Sequence, residues 1–271
     1  MGHYLQSKTV IITGASGGLG LALIKRLIEK YGCTVIGVAR SKEKAEKAAE
    51  SLGSLADNFS YQIFDVTDRL KWREFAEHLA KSNIKPDLLI NNAGIMLPFS
   101  NISIPTDAEI DEIIAVNFTA YITSVRAMLP MLSESSQPAI INICSAGGLC
   151  TVAGQGMYCA TKHAIRGYTD ALMAESRGIY VAGVYPGFIK SDIMRRQHIH
   201  DKEKHLISRM SMPADKAARI ILRRANRGKK SIVVGIDGHL LSIAGRIMPS
   251  CTARLTAFIM RKSGLELFKD I

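Results

Sequence analysis

Cysteine is scarce in this chain and follows no spacing that builds a site. Five residues, Cys33, Cys144, Cys150, Cys159 and Cys251, are scattered without any C-x-x-C pair. That excludes a disulfide framework or a zinc site and leaves small buried thiols as the reading. Long apolar runs are missing too, since nothing reaches the roughly 18–20 uninterrupted apolar residues of a membrane span. The opening "MGHYLQSKTVIITG" has no basic region followed by an apolar stretch and cleavage site. No secretory signal is therefore read, and the expected location is cytoplasmic. Internal repeats, low-complexity linkers and composition breaks are also lacking, so one domain is the simplest organisation. Acid is short as well: 24 Asp and Glu stand against 35 Lys and Arg, a net charge of +11. Such a charge suits nucleic acid, an anionic membrane surface or a phosphorylated ligand. The basic residues are dispersed, with no recognition helix or stacking motif, so nucleic acid is not an expected partner.

What is present is an alternating pattern of strands and helices over 271 residues, 47% of them hydrophobic. Strand-like runs are "TVIIT" (9–13), "TVIGVA" (34–39), "SYQIF" (60–64), "DLLIN" (87–91), "AIINIC" (139–144), "YVAGVY" (180–185) and "SIVVG" (231–235). Amphipathic stretches such as 19–31 and 111–132 lie between them. Mostly apolar strands separated by helices predict a parallel sheet covered on both faces, a doubly wound Rossmann-type α/β fold. Residues 1–235 carry it as a single domain, with 188–212 as a polar, Met-containing insertion read as a substrate lid. Residues 236–271 continue as a C-terminal helical tail.

Chemistry first shows in "TVIITGASGGLGLALIKRL", a buried strand, a glycine-rich turn and a helix in succession. Glycines there let backbone approach a pyrophosphate, and the helix N-terminus offers N–H groups to its charge; a ligand-free tight turn is the plain alternative. At the end of the second strand, "VIGVARSKEK" has Arg40 where an adenosine ribose would call for an acid. No carboxylate occurs before Glu43, and Ser41, Lys42 and Lys44 add to a setting that suits a 2′-phosphate. NADP(H) is thus expected ahead of NAD(H), against the alternative of a solvated arginine. Asp65 in "FDVTD" reads as a cap for a helix beginning near Thr67.

"GMYCATKHA" places Tyr158 and Lys162 four apart, on one helix face. A lysine charge about 5 Å from the phenol, at an effective dielectric near 20, stabilises phenolate by roughly 3 kcal/mol, about two pKa units. That would make Tyr158 a usable acid and base beside a nicotinamide, although the same spacing also decorates ordinary helix surfaces. Ser145 follows a buried strand, where a hydroxyl commonly caps a loop. Asn117 lies in an apolar helical run, where a buried amide needs partners.

With these motifs the chain resembles the shorter-chain branch of the short-chain dehydrogenase/reductase family. Its TGxxxGxG loop is matched by Thr13, Gly14, Gly18 and Gly20, and its YxxxK by Tyr158 and Lys162. Gly17 also permits the TGxxGxxG spacing of the extended branch, but the length and the other motifs favour the shorter one. The resemblance runs over residues 8–192 and implies an NADP(H)-dependent oxidoreductase interconverting a ketone or aldehyde and its alcohol. It implies a catalytic set of Asn117, Ser145, Tyr158 and Lys162. Ser145 would hold the reacting oxygen, and Asn117 a water joining lysine to solvent. Implied cofactor contacts are Gly14, Ser16, Gly18, Leu19, Gly20 and Arg40, then Asp65 at the adenine with Val66 beside it. Asn92, Ala93 and Gly94 of "NNAG", Tyr158 and Lys162, Pro186 and Gly187 of "YPGF", and Ile189 and Ser191 complete them. A catalytically silent NADP-binding regulator of the same fold is the alternative.

Specificity is expected from the lid and tail. Met194, Met210, Met212, Ile189, Ile193, Ile199, Leu206 and Ile207 suit an apolar or lipid-like carbonyl substrate or simply packing. His198, His200 and His205 are crowded by Arg195, Arg196, Lys202 and Lys204, so no metal site is read. Leu255, Phe258 and Ile259 recur at helical spacing beside Arg254, Arg261 and Lys262. That helix either packs on the domain, covers the cleft, joins subunits of a homo-oligomer (dimer or tetramer), or contacts a membrane peripherally through 251–262.

Overall fold

The computed structural model describes residues 4–191, 193, 197, 203, 208–209 and 211–271. Seven strands form one sheet: β1 (Thr9–Thr13), β2 (Thr34–Ala39), β3 (Phe59–Ile63), β4 (Leu88–Asn91), β5 (Ala139–Ile143), β6 (Tyr180–Pro186) and β7 (Ser231–Val234). Their spatial order is β3-β2-β1-β4-β5-β6-β7, and all six pairings are parallel. The helices are α1 (Gly18–Tyr31), α2 (Lys42–Leu52), α3 (Arg69–Lys81), α4 (Asp107–Ile114), α5 (Ala120–Leu132), α6 (Gly156–Glu175), α7 (Ala214–Asn226), α8 (Ile236–Ile247) and α9 (Pro249–Lys262).

Successive strand residues point to opposite faces, and here both faces are buried. Val10, Ile12, Leu88, Ile90 and Ile141 enter one core with Leu23 and Leu27 of α1 and Ile221 and Leu222 of α7. Ile11, Leu89, Ile140 and Val181 enter a second with Trp72 of α3, Met128 of α5 and Leu172 of α6. Two covered faces require unbroken apolar strands, which is why inner strands such as β1 and β2 lack polar alternation, unlike the edge strand β3. The fold is the expected doubly wound one. Its strand order reverses between β1 and β4, opening a crevice at their carboxyl ends.

Polar residues cross this apolar sheet as a bonded thread. Ser124 Oγ donates to Asn91 Oδ1 at 2.6 Å, Asn91 Nδ2 to Asn142 Oδ1 at 3.0 Å, and Asn142 Nδ2 to Thr169 Oγ1 at 2.9 Å. All four side chains are buried, and each finds a partner, as burial demands.

Two local expectations change. The helical run over 111–132 is not one α-helix, because a π-helical turn at Ala115–Thr119 separates α4 from α5. Within that turn Val116 and Asn117 are both buried. The whole run Asp107–Leu132 is long and apolar enough, by length and composition, to cross a membrane; here part of that apolar surface covers the sheet. Asp65 does not cap α3. Asp68 does so, accepting from the N–H groups of Leu70 and Lys71. Asp65 instead closes the preceding turn, its Oδ1 accepting from Thr67 N (2.9 Å) and Thr67 Oγ1 (2.7 Å).

Of the insertion, Ile189 forms a parallel bridge with Met212. Met194, Met210, Ile199, Leu206, Ile207, the three histidines, Arg195, Arg196, Lys202 and Lys204 lie outside the described residues. The tail supplies α8 and α9. Four cysteines are buried, but Cys251 on α9 is exposed, against expectation.

Candidate active site

The crevice begins with glycines that no other residue replaces easily. Gly14 and Gly18 have φ of +67° and +52°, in the left-handed region that favours glycine. A Cβ on Gly20 would overlap the Gly14 carbonyl oxygen, so the helix can sit this close only without one. No side chain caps α1 and no acid occupies its first turn, which leaves its positive end available to an anion.

The next strand end is tied to this loop. Thr13 Oγ1 accepts from Asn92 N (2.9 Å) and Ala93 N (3.0 Å). In return Asn92 Nδ2 donates to the carbonyls of Thr13 (3.0 Å) and Gly14 (3.2 Å). The TG of β1 and the NNAG of β4 thus brace each other. Arg40 is exposed at the cleft, with Nη1 3.7 Å from Asp65 Oδ2. Such a long, solvated pair contributes about 0–1 kcal/mol. Ser41 caps α2 by accepting from Lys44 N.

Deeper in, Lys162 is buried, with Nζ 3.4 Å from the Ile143 carbonyl. It lies 5.7 Å from the Tyr158 ring centre and 5.4 Å from that of Tyr121. Tyr121 donates to the same Ile143 carbonyl at 2.9 Å. Ser145 Oγ accepts from Gly147 N at 3.0 Å, capping a short turn, and its side chain also hydrogen-bonds Tyr158. Asn117 clamps the loop after β4: its Oδ1 accepts from Ile95 N (2.8 Å), and its Nδ2 donates to Ile95 O (2.9 Å). A further bond from Nδ2 reaches Thr161 Oγ1 at 3.3 Å.

Electrostatics here run against the expectation from spacing. Burial pushes the Tyr158 phenol up to about 12, only partly offset by the Ser145 hydrogen bond. Burial likewise pulls Lys162 down to about 8. Desolvation disfavours each charged form and outweighs any help the two give one another. The buried thiols follow the same rule, with Cys144 raised to about 12 and Cys159 to about 11 by burial.

A cleft of about 490 Å³ gathers these groups. Every expected cofactor contact lines it, together with Ser145; Asn117 does not, and stands behind Gly94 instead. Sequence reading passed over Tyr121, Thr161 and Asp237. Tyr121 stands one turn after Asn117 on the same helical run, a readable signal. Asp237 Oδ2 accepts from Phe188 N at 2.6 Å, and a Cβ on Gly187 would overlap its carboxylate. The first turn of α8 therefore holds the "YPGF" segment in place. Phe99 and Leu241 add apolar wall to the cleft.

Comparison with known proteins agrees with this architecture. The chain is 36% identical to the 3-oxoacyl-[acyl-carrier-protein] reductase FabG of Rickettsia felis over 206 residues, covering 75% of this chain and 80% of the relative. SadH of Mycobacterium tuberculosis is 29% identical over 265 residues, covering 93% and 95%. Among solved structures, a short-chain dehydrogenase from Streptomyces avermitilis superposes with a TM-score of 0.78 at 24% identity, covering 96% of this chain and 98% of its own. An alcohol dehydrogenase from the archaeon Thermococcus sibiricus, complexed with 5-hydroxy-NADP, does so at 0.71 and 23% identity, covering 80% and 90%. A family model for short chain dehydrogenase matches residues 8–202, and the chain belongs to that family of oxidoreductases.

Proposed function

We propose that this protein is an NADP(H)-dependent oxidoreductase interconverting an apolar or lipid-like ketone or aldehyde and its alcohol. The observation that carries this reading is one cleft lined by the glycine loop, Arg40, Ser145, Tyr158 and Lys162. A dinucleotide's pyrophosphate fits the cradle, because the turn takes left-handed φ at Gly14 and Gly18 and the uncapped N-terminus of α1 leaves its N–H groups to an anion. Gly14, Ser16, Gly18, Leu19 and Gly20 would hold the phosphates, Arg40 the 2′-phosphate, and Asp65 and Val66 the adenine. Asn92, Ala93, Gly94, Pro186, Gly187, Ile189 and Ser191 would line the remainder. The bound cofactor supplies or accepts the hydride.

The chain's own part is the proton. Tyr158 keeps its phenolic proton at neutral pH, and an alkoxide formed on a reduced carbonyl is basic enough to take it. Ser145 offers its hydroxyl hydrogen to the same oxygen while Gly147 N fixes its position. Lys162 places a cation beside the phenolate that remains. Asn117 is a positioning residue here, holding the Ile95 loop around Lys162 and supporting its link to solvent.

The assembly reading is a homo-oligomer acting in the cytoplasm, with a tail that packs on the domain, joins subunits, or contacts a membrane peripherally through 251–262. A screen of apolar ketones and aldehydes, followed by NADPH absorbance, tests the activity; no turnover across the screen would defeat it. The silent-regulator alternative draws support from the raised Tyr158 pKa alone, and single-turnover oxidation of bound NADPH separates the two.

A further inference from the structure

The two tail helices have an outer face that the domain does not use. On α8, Ile236, Leu240, Ile243 and Ile247 recur at i, i+4, i+7 and i+11, and their exposures are 83%, 62%, 57% and 70%. On α9, Leu255, Phe258 and Ile259 are each more than half exposed. An aqueous surface seldom collects seven large apolar side chains on two consecutive helices.

Their inner faces are firmly seated. Gly245 of α8 lies so close to the Leu149 carbonyl that a Cβ would overlap it. Thr252 of α9 donates to the carbonyls of Ala244 (3.1 Å) and Met248 (2.7 Å), joining the two helices. Met260 packs with Met96 and Phe99 beside the cleft. The outer residues are therefore turned away from a fixed scaffold.

Charge distinguishes the occupants of such a face. Between 236 and 262 the chain carries Arg246, Arg254, Arg261 and Lys262 and one acid, Asp237. All four cations are exposed, whereas Asp237 turns inward onto Phe188. A second copy seated on this face would bring the same four cations against them. An anionic lipid surface attracts both features at once, taking apolar side chains into the acyl boundary and the cations at the headgroups.

We infer that α8 and α9 together form an interfacial membrane anchor for anionic bilayers, and that the cleft takes its apolar substrate from the lipid phase. The link between the two is α8 itself: Leu241, on its inner side, lines the cleft, while Leu240 and Ile243 face outward. The second clause rests on the proposed carbonyl activity, and the first does not.

The test is flotation of the full chain with vesicles of phosphatidylcholine alone or with added phosphatidylserine, at low and high salt. Two variants accompany it: Leu240→Asp with Ile247→Asp, Leu255→Asp and Phe258→Asp, and Arg246→Glu with Arg254→Glu. All six positions are exposed and outside the cleft, so folding and NADPH binding remain as in the parent chain. Expected is binding to phosphatidylserine vesicles that weakens with salt and falls at least about tenfold in either variant. With a ketone dissolved in those vesicles, turnover falls in parallel, while a water-soluble ketone is reduced at the parent rate. Absence of vesicle binding, or equal binding by the variants, would overturn the anchor even if the enzyme is active. Loss of a dimer in the apolar variant without vesicle binding would overturn it in favour of a second copy. Vesicle binding without NADPH oxidation on any ketone would leave the anchor standing and reject the carbonyl activity together with lipid-phase delivery. Equal loss on both ketones would reject delivery alone.

Discussion

Lys162 Nζ stands 5.7 Å from the centre of the Tyr158 ring, close enough to interact with its face. Yet the phenol is harder to ionise than free tyrosine, at about 12. The ammonium also faces Tyr121 and the Ile143 carbonyl and is itself buried, while Tyr158 is half-buried at the cleft wall. Spacing alone predicted the opposite sign because it counts attraction and omits desolvation. A further positive charge in the cleft, such as an oxidised nicotinamide, would lower the phenol.

Replacing Tyr158 with Phe is expected to abolish turnover while leaving NADPH affinity within about twofold, since only the proton donor is lost. Fluorescence titration of NADPH and steady-state rates measure the two separately. Ultraviolet titration of the parent against this variant should assign one phenol ionising near 12 without cofactor, moving lower when oxidised cofactor is added.

Lys162→Met is expected to stabilise the cofactor-free fold at neutral pH while removing activity. Lys162 is depressed from 10.5 to about 8 by burial, so its charged form carries a penalty on the order of 3 kcal/mol below pH 8. Between about 8 and 10.5 the unfolded chain binds more protons than the folded one, and this group makes stability rise with pH. Above 10 the opposite holds for Tyr158, whose folded form keeps a proton that the unfolded chain releases. Urea unfolding from pH 7 to 10 should show the rise in the parent and its loss in Lys162→Met.

Arg40→Asp should weaken NADPH at least about tenfold and NADH far less, through loss of one charge-assisted contact and gain of repulsion. Stability should change by less than about 1 kcal/mol, because the pair with Asp65 is long and exposed. Equal loss for both cofactors would remove Arg40 from phosphate recognition.

Asp237→Ala should raise the cofactor Kd and cost about 1 kcal/mol of stability. It removes the acceptor of the 2.6 Å bond from Phe188 N and the acid in the first turn of α8. Asp237→Asn keeps an acceptor oxygen and should restore most of the affinity. An unchanged Kd in Asp237→Ala would show that the "YPGF" segment holds itself.

Asn117→Ala deletes both bonds to Ile95 and should cost about 1–3 kcal/mol through two backbone groups left without their partner. Hydrogen exchange at Ile95 would report the loosening directly.

Features encoded over a few neighbouring residues were legible without coordinates. The seven apolar runs, the glycine turn between β1 and α1, and the four-residue separation of Tyr158 and Lys162 depend on local sterics and on helix and strand periods. The neighbours of Asn117 and Asp237 were not legible, because their partners lie 22 and 49 residues away and only folding brings them into range. A π turn was hidden for a related reason: Asn117, which lies in it, bonds a loop 22 residues away.

Taken alone, the order of amino acids decided the parallel sheet, its glycine cradle and the inventory of acid, base and hydroxyl at the cleft. Only tertiary structure decided how those groups titrate and which apolar residues of the tail remain in water. Both are properties of surroundings: desolvation at Lys162 and exposure at Leu240 arise from what packs beside a side chain, which its own identity does not specify.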